Sequence, residues 1–191
     1  MISHKHQFIF VHVGRTAGSS LERAAGIKIT EDERTRNLGN TDFEEKHKHF
    51  EYYRKVYPVE FCTFFKFTIV RNPFERLVSR WLWQSTVVRN KNLSFFEFIE
   101  TLPESSKYSE FFKLSGLSIE ASIKYFDFIG RFEDLQNSYM YLCNKLDLDY
   151  NKIPHTNKTP DHRYQDYFNK ESIELVRRIY HEDLMLFNYD F

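Results

Sequence analysis

The sequence predicts an α/β domain built on a mainly parallel central sheet flanked by helices, and three observations carry that expectation. Phe8-Ile9-Phe10-Val11 is a short run of aromatic and β-branched residues, the pattern of a strand covered on both faces. Phe65-Lys66-Phe67-Thr68-Ile69-Val70 is a second such run, and Phe128-Ile129-Gly130-Arg131 ends a third. Each is followed by a segment with apolar residues at helical spacing, and strands alternating with helices stack as parallel layers.

In chain order, the pattern predicts strands near 7–13, 63–70 and 126–131. It predicts helices near 17–26, 43–56, 74–88, 94–102, 118–125, 133–146 and 171–187. Ala17, Leu21, Ala24 and Ala25 give the first helix one buried face. Phe74, Leu77, Val78, Trp81 and Leu82 do the same for the third, whose start carries Asn72 as a cap, Pro73 in the first turn and Glu75 at the capping-box position. Leu135, Tyr139, Leu142 and Leu146 stripe the sixth, and Ile173, Val176, Tyr180 and Leu184 the last. Segments 27–42 and 150–165, the latter with Pro154 and Pro160, read as loops. With no repeat and no linker composition, 191 residues are expected to form one domain spanning 1–191.

The formal net charge is zero, which argues against a global field for nucleic acid or an anionic membrane. Lys46, Lys48, Arg54 and Lys55 form a local basic cluster that reads as either a solvated helix face or a dock for an anionic acceptor. Cys62 and Cys143 lack metal spacing and are expected to be free, buried thiols of a reducing compartment. There is no apolar run of membrane length and no signal-peptide core, so a cytoplasmic location is expected. Met1–His6 is expected to fray. No His-x-x-x-His or Cys-x-x-Cys pair suggests a metal.

Two strand-turn-helix junctions carry the chemistry. After the first strand, Gly14-Arg15-Thr16-Ala17-Gly18-Ser19-Ser20 brings glycines, hydroxyls and a cation to the start of a helix, a place suited to a phosphate. Only three residues separate Gly14 from Gly18 and no Lys-Ser/Thr pair follows, so this is not the nucleoside triphosphate loop. A third glycine at dinucleotide spacing is also missing. After the second strand, Arg71 stands at the strand's carboxyl end and Ser79 lies off the apolar stripe. A guanidinium fork and a hydroxyl there suit a second phosphate. Arg76 and Arg80 flank this turn and read as surface residues.

Together the motifs resemble those of the sulfotransferases. Arg15-Thr16-Ala17-Gly18-Ser19-Ser20 is similar to their 5′-phosphosulfate loop, written Lys-Thr-Ala-Gly-Thr-Ser. Arg71-Asn72-Pro73 with Ser79 is similar to their 3′-phosphate motif. The likeness continues through Phe128–Leu135 and Asp183–Phe191, and is nearest to carbohydrate sulfotransferases such as heparan sulfate 2-O-sulfotransferase. It implies a P-loop-like domain, 3′-phosphoadenosine-5′-phosphosulfate as donor, adenosine 3′,5′-bisphosphate as product, a saccharide acceptor and no metal. Arg15 replaces the family's lysine: it keeps the charge but is bulkier and does not donate a proton.

A base must take the acceptor's proton. The resemblance points to His47-Lys48-His49, which matches a His-x-His element between the two phosphate motifs, with His47 ranked above His49. Within a regular helix only one of the two would face the acceptor. Glu44, Glu45 and Glu51 are the carboxylate alternatives. His12 reads equally as a structural or a functional residue, and His181 lies on a surface-like helix. In the late loop, Lys158 is carried over as a cation toward the 3′-phosphate and adenine. Two rival readings stand beside the sulfotransferase: a small P-loop-type kinase, which lacks its lysine and its magnesium-binding acid here, and a non-catalytic nucleotide- or glycan-binding protein.

Overall fold

The computed structural model describes residues 1–24, 47–87, 93–103, 106–148, 153 and 163–191. In order, the described elements are β1 (Ile2–Ser3), β2 (Phe8–Val11), α1 (Gly18–Ala24), α2 (Phe50–Val56), α3 (Pro58–Thr63), β3 (Phe65–Val70) and α4 (Pro73–Val87). Next come α5 (Phe95–Glu100), α6 (Tyr108–Phe112), α7 (Ile119–Ile123), β4 (Phe128–Arg131) and a 3-10 turn (Phe132–Asp134). The chain closes with α8 (Leu135–Leu146), a second 3-10 turn (Tyr164–Tyr167), α9 (Lys170–Ile179) and α10 (His181–Phe187). These elements group into two compact units. The first takes Met1–Val70 and Phe111–Thr156, the second Arg71–Glu110 and Asn157–Phe191.

The first unit holds the sheet, in the order β1-β2-β3-β4. β2, β3 and β4 are parallel, with Phe10 opposite Phe67 and Thr68 opposite Ile129. The α/β expectation therefore holds. β1 is an addition: Ile2 pairs antiparallel with Ile9, and the amide of Phe10 donates to Met1 O at 2.8 Å. Met1–His6 is thus tied down rather than frayed, because a hairpin closing at Gln7 (φ 51°) covers the edge of β2. Phe8, Phe10, Phe67 and Ile69 bury against Leu21 and Ala24 of α1 and Tyr139, Leu142, Cys143 and Leu146 of α8. A separate aromatic layer stacks Phe50 on Phe126 at 4.1 Å, with Phe61 and Phe112 alongside. Cys143 is buried as expected, whereas Cys62 is exposed.

The second unit packs α4, α5, α9 and α10 around Phe74, Leu77, Val78, Phe98, Val176 and Tyr180. Ser94 and Glu97 close a full capping box on α5, and Asn169 with Ser172 does so on α9. The expected single helix over 171–187 is two, broken at Tyr180, whose backbone (φ −103°, ψ 19°) leaves helical geometry. α3 and α6 were not visible in the sequence pattern. Both are short and aromatic, and one apolar turn carries no periodicity to read.

Candidate functional site

The first junction is built by β2. Its four residues are buried, and the chain leaves them through His12 and Val13 into a turn before α1. Arg15 (φ 69°) and Ala17 (φ 64°) both adopt left-handed backbone. Two non-glycine residues in that region within three positions are strained, and such strain concentrates where backbone amides are turned toward a ligand. Thr16 between them is fully buried, and its hydroxyl donates to Val13 O at 2.8 Å, pinning the turn from inside. Ala17 O accepts from the amides of Ser20 and Leu21 at 2.9 and 3.1 Å, which opens the helix immediately. Gly18 is required sterically: a Cβ there would fall on the imidazole of His12.

His12 organises this junction. It is 3% exposed, lies flat on Phe10 with ring centroids 5.3 Å apart, and brings Nδ1 to 3.1 Å from Glu22 Oε1 of α1. Glu22 is itself 5% exposed, so the carboxylate and the imidazole share one buried pocket under the loop. Neither residue belongs to an apolar stripe, and the reading from sequence left His12 undecided and did not single out Glu22.

Of the expected helix over 43–56, Phe50–Val56 is helical and His47, Lys48 and His49 are not, while 43–46 lie outside the described residues. His49 occupies the N-cap position in extended backbone (φ −68°, ψ 158°), which frees the two histidines from the helical constraint. They face different neighbours. His47 Nδ1 lies 3.0 Å from the carbonyl oxygen of His12, and its ring centroid is 4.7 Å from that of His12. A methyl placed on Gly14 would meet His47 Cε1 at 3.8 Å, so the ring borders the loop itself. His49 instead stacks on Phe111 at 4.3 Å.

A carbonyl oxygen only accepts, so His47 Nδ1 is the donor, and in the neutral imidazole Nε2 then carries the lone pair. Among the carboxylate alternatives, Glu51 accepts from Arg54 at 2.8 Å. That bond holds its carboxyl at about 2, which makes it a weaker base than an ordinary carboxylate. Lys55 also approaches Glu51 at 3.5 Å, and Lys48 lies over the Tyr52 ring. In the described part of the basic cluster, one carboxylate is thus shared by Arg54 and Lys55, and Lys48 keeps its charge over an aromatic face. Lys46, Glu44, Glu45 and Lys158 lie outside the described residues.

The second junction belongs to the other unit. Asn72 caps α4 as expected, its Oδ1 accepting from the Phe74 amide at 3.0 Å. Glu75 does not complete a capping box; it accepts from Arg71 Nη2 at 2.7 Å. Arg71 is 6% exposed and Ser79 is 1% exposed. Arg76 is not a surface residue: it is 5% exposed, with its guanidinium 4.1 Å from the centroid of the Tyr108 ring and Nη2 bonded to Ser106 O. Tyr108 is fully buried, and its phenol is pushed up to about 12, chiefly by that burial.

A parallel sheet whose first interior strand ends in a glycine-bearing, left-handed turn before a helix defines a protein of the α/β class. The family is narrower. The model of the sulfotransferase family matches residues 1–190, and the chain belongs to that family. A crystal structure of a sulfotransferase from Alicyclobacillus acidocaldarius aligns at TM-score 0.45 and 15% identity, over 96% of this chain and 98% of that one. No curated protein sequence matches. Among the described residues no trio of His, Cys, Asp or Glu is placed to hold a metal ion, and no helix is long and apolar enough to cross a membrane.

Proposed function

We propose that this chain is one sulfotransferase domain that moves a sulfuryl group from 3′-phosphoadenosine-5′-phosphosulfate to an alcohol. His47 is the general base. The observation that carries the reading is the seat of His47: its ring borders the Gly14 turn, and its Nδ1 proton is committed to the His12 carbonyl. In the neutral imidazole Nε2 then carries the lone pair, and this reading assigns that nitrogen to the acceptor's proton.

In this scheme the backbone of Arg15–Ser20 cradles the 5′-phosphosulfate. Nε2 of His47 takes the acceptor's proton while the acceptor oxygen bonds to sulfur. The bond from sulfur to the bridging phosphate oxygen breaks, and the bisphosphate leaves with the electron pair. Arg15 neutralises that leaving charge without giving up a proton. Most of the remaining rate comes from holding the oxygens in line, as in phosphoryl transfer. Arg71 and Ser79 take the 3′-phosphate, and Lys158 is assigned to the same nucleotide. His49, stacked on Phe111, is a secondary candidate. The acceptor is assigned as a saccharide hydroxyl on the likeness to the carbohydrate sulfotransferases.

Ligand-dependent melting tests the donor. Adenosine 3′,5′-bisphosphate should stabilise the protein more than 5′-AMP or ATP with magnesium at equal concentration, and transfer of labelled sulfate to a saccharide panel should follow. A larger shift with ATP and magnesium would favour the kinase. Bisphosphate binding without transfer to any acceptor would favour the non-catalytic binder.

A further inference from the structure

We propose that Tyr108 is a positioning residue for Arg71 and so sets the preference for a nucleotide bearing a 3′-phosphate; this rests on the assignment of Arg71 to that phosphate. Val70, opposite Arg131, ends the pairing of β3. Arg71 is the next residue, yet its backbone is held as firmly as a strand's. Its amide donates to the Tyr108 hydroxyl at 2.8 Å, and the same hydroxyl donates to its carbonyl oxygen at 3.0 Å. One phenol thus satisfies both polar groups of a buried residue, the part a neighbouring strand would otherwise play.

The phenol is itself fixed on several sides. Asp183, which is completely buried, accepts the amides of Tyr108 and Ser109 on its two carboxylate oxygens, each at 2.7 Å. This anchors the first residues of α6. The Arg76 guanidinium lies on the ring's face, and Phe187 meets the ring edge-on at 5.5 Å. Ser106, two residues earlier, shares a 2.7 Å hydrogen bond with the Tyr180 hydroxyl. The raised phenol pKa keeps the proton on through the neutral range, so the donor to Arg71 O persists. The chain of contacts runs from Asp183 through α6 and the phenol to the main chain of Arg71. A guanidinium that must meet a phosphate with two parallel hydrogen bonds tolerates little displacement of its own Cα.

Tyr108→Phe keeps the ring, its packing and the cation contact, and removes only the hydroxyl. The expected result is a fall of about tenfold in the ratio of bisphosphate to 5′-AMP affinity, the scale of leaving buried backbone groups unpaired. Binding of 5′-AMP should be nearly unchanged, as measured by calorimetry on the full chain. Asp183→Asn, which keeps one acceptor oxygen, should give a smaller loss in the same direction and serves where the phenylalanine variant does not fold. If the wild-type protein prefers the bisphosphate and both variants keep that preference, the positioning role is overturned while the Arg71 assignment stands. Equal weakening of both nucleotides would make Tyr108 a merely structural residue and also overturn it. A wild-type protein without preference would overturn the Arg71 assignment and this inference together.

Discussion

His47 Nδ1 and the carbonyl oxygen of His12 are 3.0 Å apart, joining a residue ahead of α2 to the strand end that opens the Gly14–Ser20 turn. The bond sets the ring's orientation beside Gly14 and selects the tautomer of the neutral imidazole, so one contact decides both.

From that contact, His47→Ala should lower turnover by about 10²- to 10⁴-fold, the usual contribution of a general base. Nucleotide affinity should be retained. His49→Ala should cost less, since its ring is committed to Phe111. Steady-state rates with titration of the bisphosphate on each variant check this. Full activity in the double variant would reject both histidines.

Gly18→Ala should destabilise the protein by about 1–3 kcal/mol, the range for forcing atoms into a packed site. The added methyl lands on the His12 ring, which stacks on Phe10 and lies 3.1 Å from Glu22, so it withdraws only by giving up those contacts. Chemical denaturation would read the loss. An unchanged midpoint would mean the imidazole moves freely.

Arg71→Ala should weaken adenosine 3′,5′-bisphosphate by about 2–4 kcal/mol, as for losing one partner of a buried charged pair. Binding of 5′-AMP should hardly change. Calorimetry with the two nucleotides separates a phosphate ligand from a residue that only supports the fold.

Acid stability should contain a contribution from Glu51. Its hydrogen bond to Arg54 lowers the carboxyl from 4.5 to about 2 in the folded protein. A depressed folded value means the stabilisation is fully present above about 4.5 and is lost as the pH falls toward 2. Glu51→Gln should flatten the stability profile in that window and leave it alone near neutrality. The effect should be modest and shrink with salt, because Arg54 is partly exposed.

Much of this protein is written locally. The Phe8–Val11 run, the small-residue turn after it, and the Asn72-Pro73 start of α4 are each decided by residues within a few positions, through side-chain period, backbone preference and capping. That is why the α/β class, the parallel strands and both candidate phosphate junctions were legible in the sequence. Tertiary structure decided what joins distant segments. His12 meets His47 across 35 residues and Tyr108 braces Arg71 across 37. The burial of Arg76 depends on a ring and a carbonyl some 30 residues away. No helical or strand period links such pairs. A histidine, tyrosine or arginine reads the same in sequence whether it faces water or a buried partner, and only packing brings the partner and removes the water.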